Sequence, residues 1–441
     1  MADAAAAPAR LEAELGAIPK STKPYEHALA AHRLGLAYAE AVTGNPHDRL
    51  RQALACFDVA ATLLDERFHP VEHARVLTAA GSARRNLGEP TAALALFRRA
   101  DALAAHRVSA DEAAAMANNV GLSLLDTGDL RGARQQFDIA IEGFETGGAE
   151  GRRGRAAALH NRGLVRVAGG RPDDLVAALA DYEQALVAVS FEEAPLHHGL
   201  VHHSRGVTAA ALADAETDRG AAARWRSTAI DAYVDALGVF AWPEHAVQHG
   251  IASFNLGRVL ATAESLEDLR RSLLSYEDAV TAFDPRHQPV QWRHAFDSLS
   301  AIESRLGANH VGWSRTDHLV ALLHSDRTGA SQLLRKRLAR WSTLPTPARD
   351  AALASFVAAA IRQGGDAGTG ALVLILAAVM ELPISAQAAV LDAMVAVRAA
   401  ADADGQATAD RLVDRAIGEA VVGPQRVFVR DHLTTGGFER P

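Results

Sequence analysis

Nineteen histidines in a chain of 441 residues are the first candidates for chemistry. Four stand together in PLHHGLVHHSRG, as His197, His198, His202 and His203, and His245 and His249 follow further on. His198/His202 and His245/His249 are spaced i,i+4, which on a helix sets two imidazoles on one face, as a metal ion requires. No aspartate or glutamate within the motif supplies an outer partner to orient those rings, so metal binding is the secondary expectation and no cofactor is expected. Cys56, the only cysteine, precedes Phe57 in an apolar helical pattern where thiols are mostly inert. The chain has no phosphate-cradling glycine loop, no GxGxxG after a strand, no HExxH and no GxSxG. These residues point away from a motif-borne catalytic centre.

The elements that position them are repeated. GSARRNLGEPTAALALFRRA from Gly81 and GLSLLDTGDLRGARQQFDIA from Gly121 align without a gap. Both carry a second glycine (Gly88, Gly128), then Ala93/Ala133, Phe97/Phe137 and Ala100/Ala140 at equal spacings. The copy from Gly163 keeps Gly170, Ala178, Tyr182 and Ala185, with three residues inserted in the turn. Looser copies begin at Gly35 (with Ala53, Phe57 and Ala60), Gly206 (Ala229, Tyr233, Ala236) and Gly257 (Ser272, Tyr276, Ala279). Small residues at these points let two helix axes approach, and the aromatic ring fills what remains. No such hairpin covers its own apolar faces, so neighbours must stack.

This small–aromatic–small spacing resembles the tetratricopeptide repeat (TPR) family, and the helix pattern NNVG/NRG/NLG is similar to arrays of actinobacterial type. The resemblance implies an all-α fold: a TPR-like α-solenoid of about six hairpins over residues 25–306. An N-terminal tail, 1–24, would precede it, and a smaller all-helical C-terminal domain, 307–441, would follow. In that domain Gln425–Leu433 reads as a short strand or a further helical turn, and Arg335, Lys336, Arg337 and Arg340 read as a solvated basic face.

In such an array the first helix of each hairpin lines the concave side. At about 100° per residue, positions two and three before the glycine and one after it face the groove. Two before stand Asn119, Asn161 and Asn255, against Arg33, Ala79 and Ser204 in the other copies. Three before stand His32, Thr78, Asn118, His160, His203 and Phe254; one after stand Leu36, Ser82, Leu122, Leu164, Val207 and Arg258. The row Asn119, Asn161, Asn255 resembles the asparagine ladder with which arrays of this family hold a peptide backbone, since asparagine both donates and accepts. The same asparagines can instead bond to a neighbouring helix and only stabilise the stack. The expected site is Asn118, Asn119, Leu122, His160, Asn161, Leu164, His203, Val207, Asn255 and Arg258, with His160 and His203 able to read a carboxylate or to titrate.

Hydrophobic residues make up 49% and charged residues 22%, which excludes wholesale disorder. A net charge of −8 is a poor match for nucleic acid or anionic lipid. The longest apolar run, Ala371–Met380, is too short to cross a bilayer, and the N-terminus lacks a secretory pattern. A cytoplasmic location is therefore expected. The expected function is a non-catalytic scaffold or adaptor that captures a peptide or partner protein, its C-terminal domain docking a second partner or a second copy to form a homodimer. An enzyme or cofactor protein using the groove histidines is the alternative, and a ligand-sensing regulator the third reading.

Overall fold

A computed structural model describes the chain except Met1 and residues 42–44, 145–147, 264, 309, 311, 326–333, 336, 339–340, 342–343, 381–383, 422–423 and 439–441. Every regular element among the described residues is a helix. The chain divides into two compact units, Met1–Val239 and Phe240–Pro441.

The first unit holds α1 (Ala2–Ala17) and five hairpins. These are α2 (Pro24–Glu40) with α3 (Pro46–Leu63), α4 (Pro70–Asn86) with α5 (Pro90–Ala104), and α6 (Ala110–Asp126) with α7 (Leu130–Gly143). They continue with α8 (Ala149–Gly169) and α9 (Pro172–Ala188), then α10 (Pro195–Ala215) and α11 (Arg219–Val239). Six of these helices open on a proline, whose missing N–H costs nothing in a first turn. The turns inside the second and third hairpins pass through Gly88 and Gly128 at φ +82° and +85°, where a side chain would be strained.

Each hairpin closes on one contact. The ring edges of Phe57, Phe97, Phe137, Tyr182 and Tyr233 rest on the backbone of Gly35, Gly81, Gly121, Gly163 and Gly206. A Cβ at those glycines would stand 2.4, 2.6, 2.7, 2.3 and 2.7 Å from the ring. All five rings are fully buried, each contributing about 1.5–3 kcal/mol of apolar transfer.

A second recurring device joins one hairpin to the next. His27, His73 and His198 each place a ring nitrogen 2.7, 2.8 and 2.9 Å from a carbonyl nine residues earlier, those of Ile18, Leu64 and Val189. In the second unit His249 does the same to Phe240 at 2.8 Å. All four stand eight residues before their repeat glycine. The imidazole N–H thereby satisfies a carbonyl that the end of the preceding helix leaves open.

The segment read as an N-terminal tail carries α1, which lies on α2. Its Leu15 packs against the core group of Phe57 and Leu64, Glu14 pairs with Arg33, and Tyr38 donates to Glu12. Helix α1 is thus held on the first hairpin by an apolar residue and by charged ones together.

The second unit begins with the sixth hairpin, α12 (Ala246–Ala261) and α13 (Leu266–Ala282), followed by α14 (Pro289–Gly307). Here the glycine–ring contact is looser, 3.0 Å between a Cβ at Gly257 and Tyr276, and Ser272 donates to the Gly257 carbonyl at 2.8 Å. Further helices are α15 (Arg315–Ser325), α16 (Thr346–Gln363), α17 (Gly365–Val379), α18 (Ile384–Ala400), α19 (Ala403–Ala420) and α20 (Pro424–Thr435). Their core runs from Leu319 through Phe356, Leu372 and Met394 to Leu433 and includes Leu274 of α13. The apolar run from Ala371 is buried in α17, and Gln425–Leu433 is helical. No described helix is long and apolar enough to cross a membrane.

Arg337 corrects the reading of a solvated basic face. It is buried, with Nη2 2.6 Å from Glu277 and 3.5 Å from Asp278, and it donates to the Leu274 carbonyl. Two carboxylates of α13 supply the counter-charge that burial demands. Lys336 and Arg340 lie outside the described residues.

Candidate functional site

In the first unit the first helices α2, α4, α6, α8 and α10 each touch the next, whereas second helices meet one another no more than incidentally. The stack is therefore closed on the first-helix side and splayed on the other, and the first helices line a concave face. On α10 the groove strip is Leu196, Leu200, His203 and Val207, at i, i+4, i+7 and i+11. Leu196 and Leu200 are 43% and 40% exposed, and Leu36 of α2 is 37% exposed.

The expected groove residues fall into two groups. Asn161 Nδ2 donates to Asn118 Oδ1 at 3.0 Å, tying α8 to α6, and His160 Nε2 lies 2.9 Å from Ser204 Oγ, tying α8 to α10. These three expected positions, Asn118, Asn161 and His160, are spent on stacking. Asn119 is different. It is half-buried, and its amide has no hydrogen-bond partner among the described residues. Leu164 and Val207 are likewise half-buried on this face, while Leu122 leans on the core group of Phe97 and Phe137. Asn255 and Arg258 lie on α12 of the second unit, beside Phe254, whose ring packs 5.5 Å from that of Tyr276.

Behind this face, a buried charge fixes the rotation of α8. Asp181 of α9 accepts from Arg166 at 2.7 Å and from Arg162 at 3.1 Å, and Arg162 also reaches Asp138 of α7 at 2.8 Å. Holding Arg162 and Arg166 outward turns His160 and Leu164 to the groove.

The groove histidines are held neutral. Burial, reinforced by the neighbouring His197 and His203, pushes His160 down to about 3; its ring meets Tyr182 and His197 edge-on at 5.6 and 5.7 Å. Burial also lowers His203, whose ring is tilted against Tyr233 at 5.8 Å. His160 therefore carries no charge near neutral pH with which to bind a carboxylate.

One histidine of each i,i+4 pair is committed elsewhere. His198 is turned to the Val189 carbonyl, while His202 Nδ1 lies 3.5 Å from Asp235 of α11. His245 sits edge-on to Phe240 at 6.4 Å, and His249 holds the Phe240 carbonyl. A ring nitrogen used to close a turn is lost to a metal, and no group of three His, Cys, Asp or Glu able to hold one occurs among the described residues. Burial raises the Cys56 thiol above its ordinary value, which keeps it protonated.

A further concavity lies away from the expected residues. Between α2, α4 and α6 is a pocket of about 580 Å³. It exists because α4 presents Thr78, Ala79 and Ser82 at the positions where α6 presents Asn118, Asn119 and Leu122. Phe57 forms its floor, with His32 5.8 Å away, and Met116 one wall. Arg75 of α4 and Glu112 of α6 pair across the rim at 2.6 Å. Burial and the nearby Arg75 hold His32 below its ordinary value. Three small side chains at groove positions were the sequence signal for this pocket.

No protein-family model matches the chain, and no curated protein does. Solved structures do. YrrB, described as a TPR protein with an unusual peptide-binding site, is 20% identical over 50% of this chain and 93% of its own, with a TM-score of 0.31. The C-terminal part of a TPR repeat-containing protein from Cytophaga hutchinsonii is 13% identical over 67% and 95%, at 0.38. The human IFIT1 dimer with m7Gppp-AAAA is 14% identical over 71% of each chain, at 0.39. The fold assignment rests on the glycine–aromatic contacts: the chain is an all-α, TPR-like helical-repeat protein.

Proposed function

We propose that the first unit is a non-catalytic scaffold that captures a peptide, or a segment of a partner protein, along the groove of α2, α4, α6, α8 and α10. The observation that carries this reading is the inner face itself: exposed Leu36, Leu196 and Leu200 share it with the unengaged amide of Asn119. A stack serving only itself gains nothing from apolar side chains left open on its most enclosed surface. The leucines would bury apolar area on the bound segment, and Asn119 would fix its register. The test is site-specific photocrosslinking in the native host from position 200 on the groove face and, as control, from position 234 on α11. A partner crosslinked from 200 and absent from 234 is expected. Asn119→Ala should then weaken that partner by roughly two- to tenfold, the worth of one hydrogen bond, with thermal stability unchanged. Equal crosslinking from both positions would refute the reading.

An enzymatic reading draws on the His160–Ser204 contact, which has the geometry of a base beside a hydroxyl. An imidazole held near 3 is a weak proton acceptor, which favours the scaffold.

A further inference from the structure

We propose that the pocket between α2, α4 and α6 is an anchor site for a bulky apolar side chain of a bound peptide, with a basic residue beside it in that peptide. This deepens the scaffold reading and rests on it. About 580 Å³ lies within the range of ligand pockets, about 300–1,000 Å³. The volume is built in. Its floor, Phe57, is wedged against Gly35 and cannot rise to fill the space, and its open wall is made by Thr78, Ala79 and Ser82, which are too short to cross it. A mostly apolar recess of this kind is the shape into which an aromatic or long aliphatic anchor fits.

The rim specifies the neighbour of that anchor. Arg75 and Glu112 neutralise each other across it. Glu40 also lines the pocket, is exposed, and has no partner among the described residues. One guanidinium against two carboxylates leaves the rim with an excess negative charge, since His32 is held neutral by burial. A lysine or arginine flanking the anchor would meet Glu40, and an acidic flank would be repelled.

The experiment pans a phage-displayed library of random 12-residue peptides on the full chain. Selected peptides are then measured by fluorescence anisotropy against the parent, Ala79→Trp, Glu40→Gln and Asn119→Ala. Circular dichroism and thermal melting check each fold, and Ser82→Phe is a second pocket-filling variant. Enriched peptides should share an aromatic, Leu or Met residue within two positions of Lys or Arg. Ala79→Trp and Ser82→Phe should lose about tenfold or more in affinity, the scale of a central anchor, and Glu40→Gln about threefold, less at high salt. Peptides that bind the filled variants as well as the parent, or that lack this pattern, would overturn the anchor site. If those same peptides still weaken on Asn119→Ala, the scaffold reading survives; if no peptide is enriched, both fall.

Discussion

Replacing Gly121 by alanine tests the contact on which every hairpin closes. In an open helix the change is stabilising by about 1 kcal/mol, because glycine gives up more backbone freedom. Here the new Cβ would lie 2.7 Å from Phe137 Cε1 and 2.9 Å from Cδ1 and Cζ. Phe137 is fully buried between Ala133 and Ala140, so its ring has nowhere to move without spreading α6 from α7. Overpacking of this kind costs about 1–3 kcal/mol, and three ring atoms met at once place it near the top. Offset by the helix term, the net loss is about 2 kcal/mol, roughly thirtyfold in the folding equilibrium. Native-state hydrogen exchange reads this locally, as faster exchange of α6 and α7 amides in the full chain. Gly238→Ala in α11, where a Cβ meets nothing within 4 Å, should be neutral or stabilising. Phe137→Leu should relieve most of the alanine penalty in a double-mutant cycle. A Gly121→Ala protein as stable as the parent, or a cycle without coupling, would refute the packing argument.

Three further outcomes follow from other contacts. His73→Ala strips a buried carbonyl of its donor and should cost about 1–3 kcal/mol by thermal or urea unfolding. Because His160 titrates at about 3 in the fold against about 6.5 unfolded, the unfolded state binds the extra proton between those values. Stability is therefore complete above pH 6.5 and falls on acidification, by up to about 1.4 kcal/mol per pH unit for this group; His160→Asn should flatten that slope in urea titrations. Arg337→Ala removes the buried counter-charge of Glu277 and Asp278, leaving Glu277 the more distant Arg315 at 3.9 Å, and should lower stability by about 3–5 kcal/mol, with Arg337→Met no cure because both carboxylates remain.

The hairpins were legible because each depends on a one-to-one contact at fixed spacing: a glycine, and the ring that lies on it. Helical geometry alone also placed His160, Leu164 and Val207 on a single face. It could not tell that Asn161 would turn sideways to Asn118 while Asn119 stayed unengaged, since neighbouring side chains decide that choice. The histidines suggested a metal by their i,i+4 spacing, yet their informative interval was the distance to the repeat glycine, eight residues in four copies. Arg337 misled for a related reason. A basic cluster is solvated unless distant carboxylates are brought to it, and Glu277 and Asp278 lie some sixty positions earlier. The helices beyond α14 carry no repeat, so only their apolar runs announced them.

The histidine latches are not spaced evenly, and that has a mechanical meaning. His27, His73 and His198 fasten the joints before α2, α4 and α10, whereas the equivalent position before Gly121 is Ala113, and before Gly163 it is Arg155. The joint that leads into α6 has no such fastener, and α6 forms one wall of the pocket floored by Phe57. Across that joint α4 and α6 are tied instead by two side-chain ion pairs, Arg75–Glu112 and Arg85–Asp126, each at 2.6 Å. Flexing at that joint would widen or narrow the recess while the flanking hairpins keep their shape.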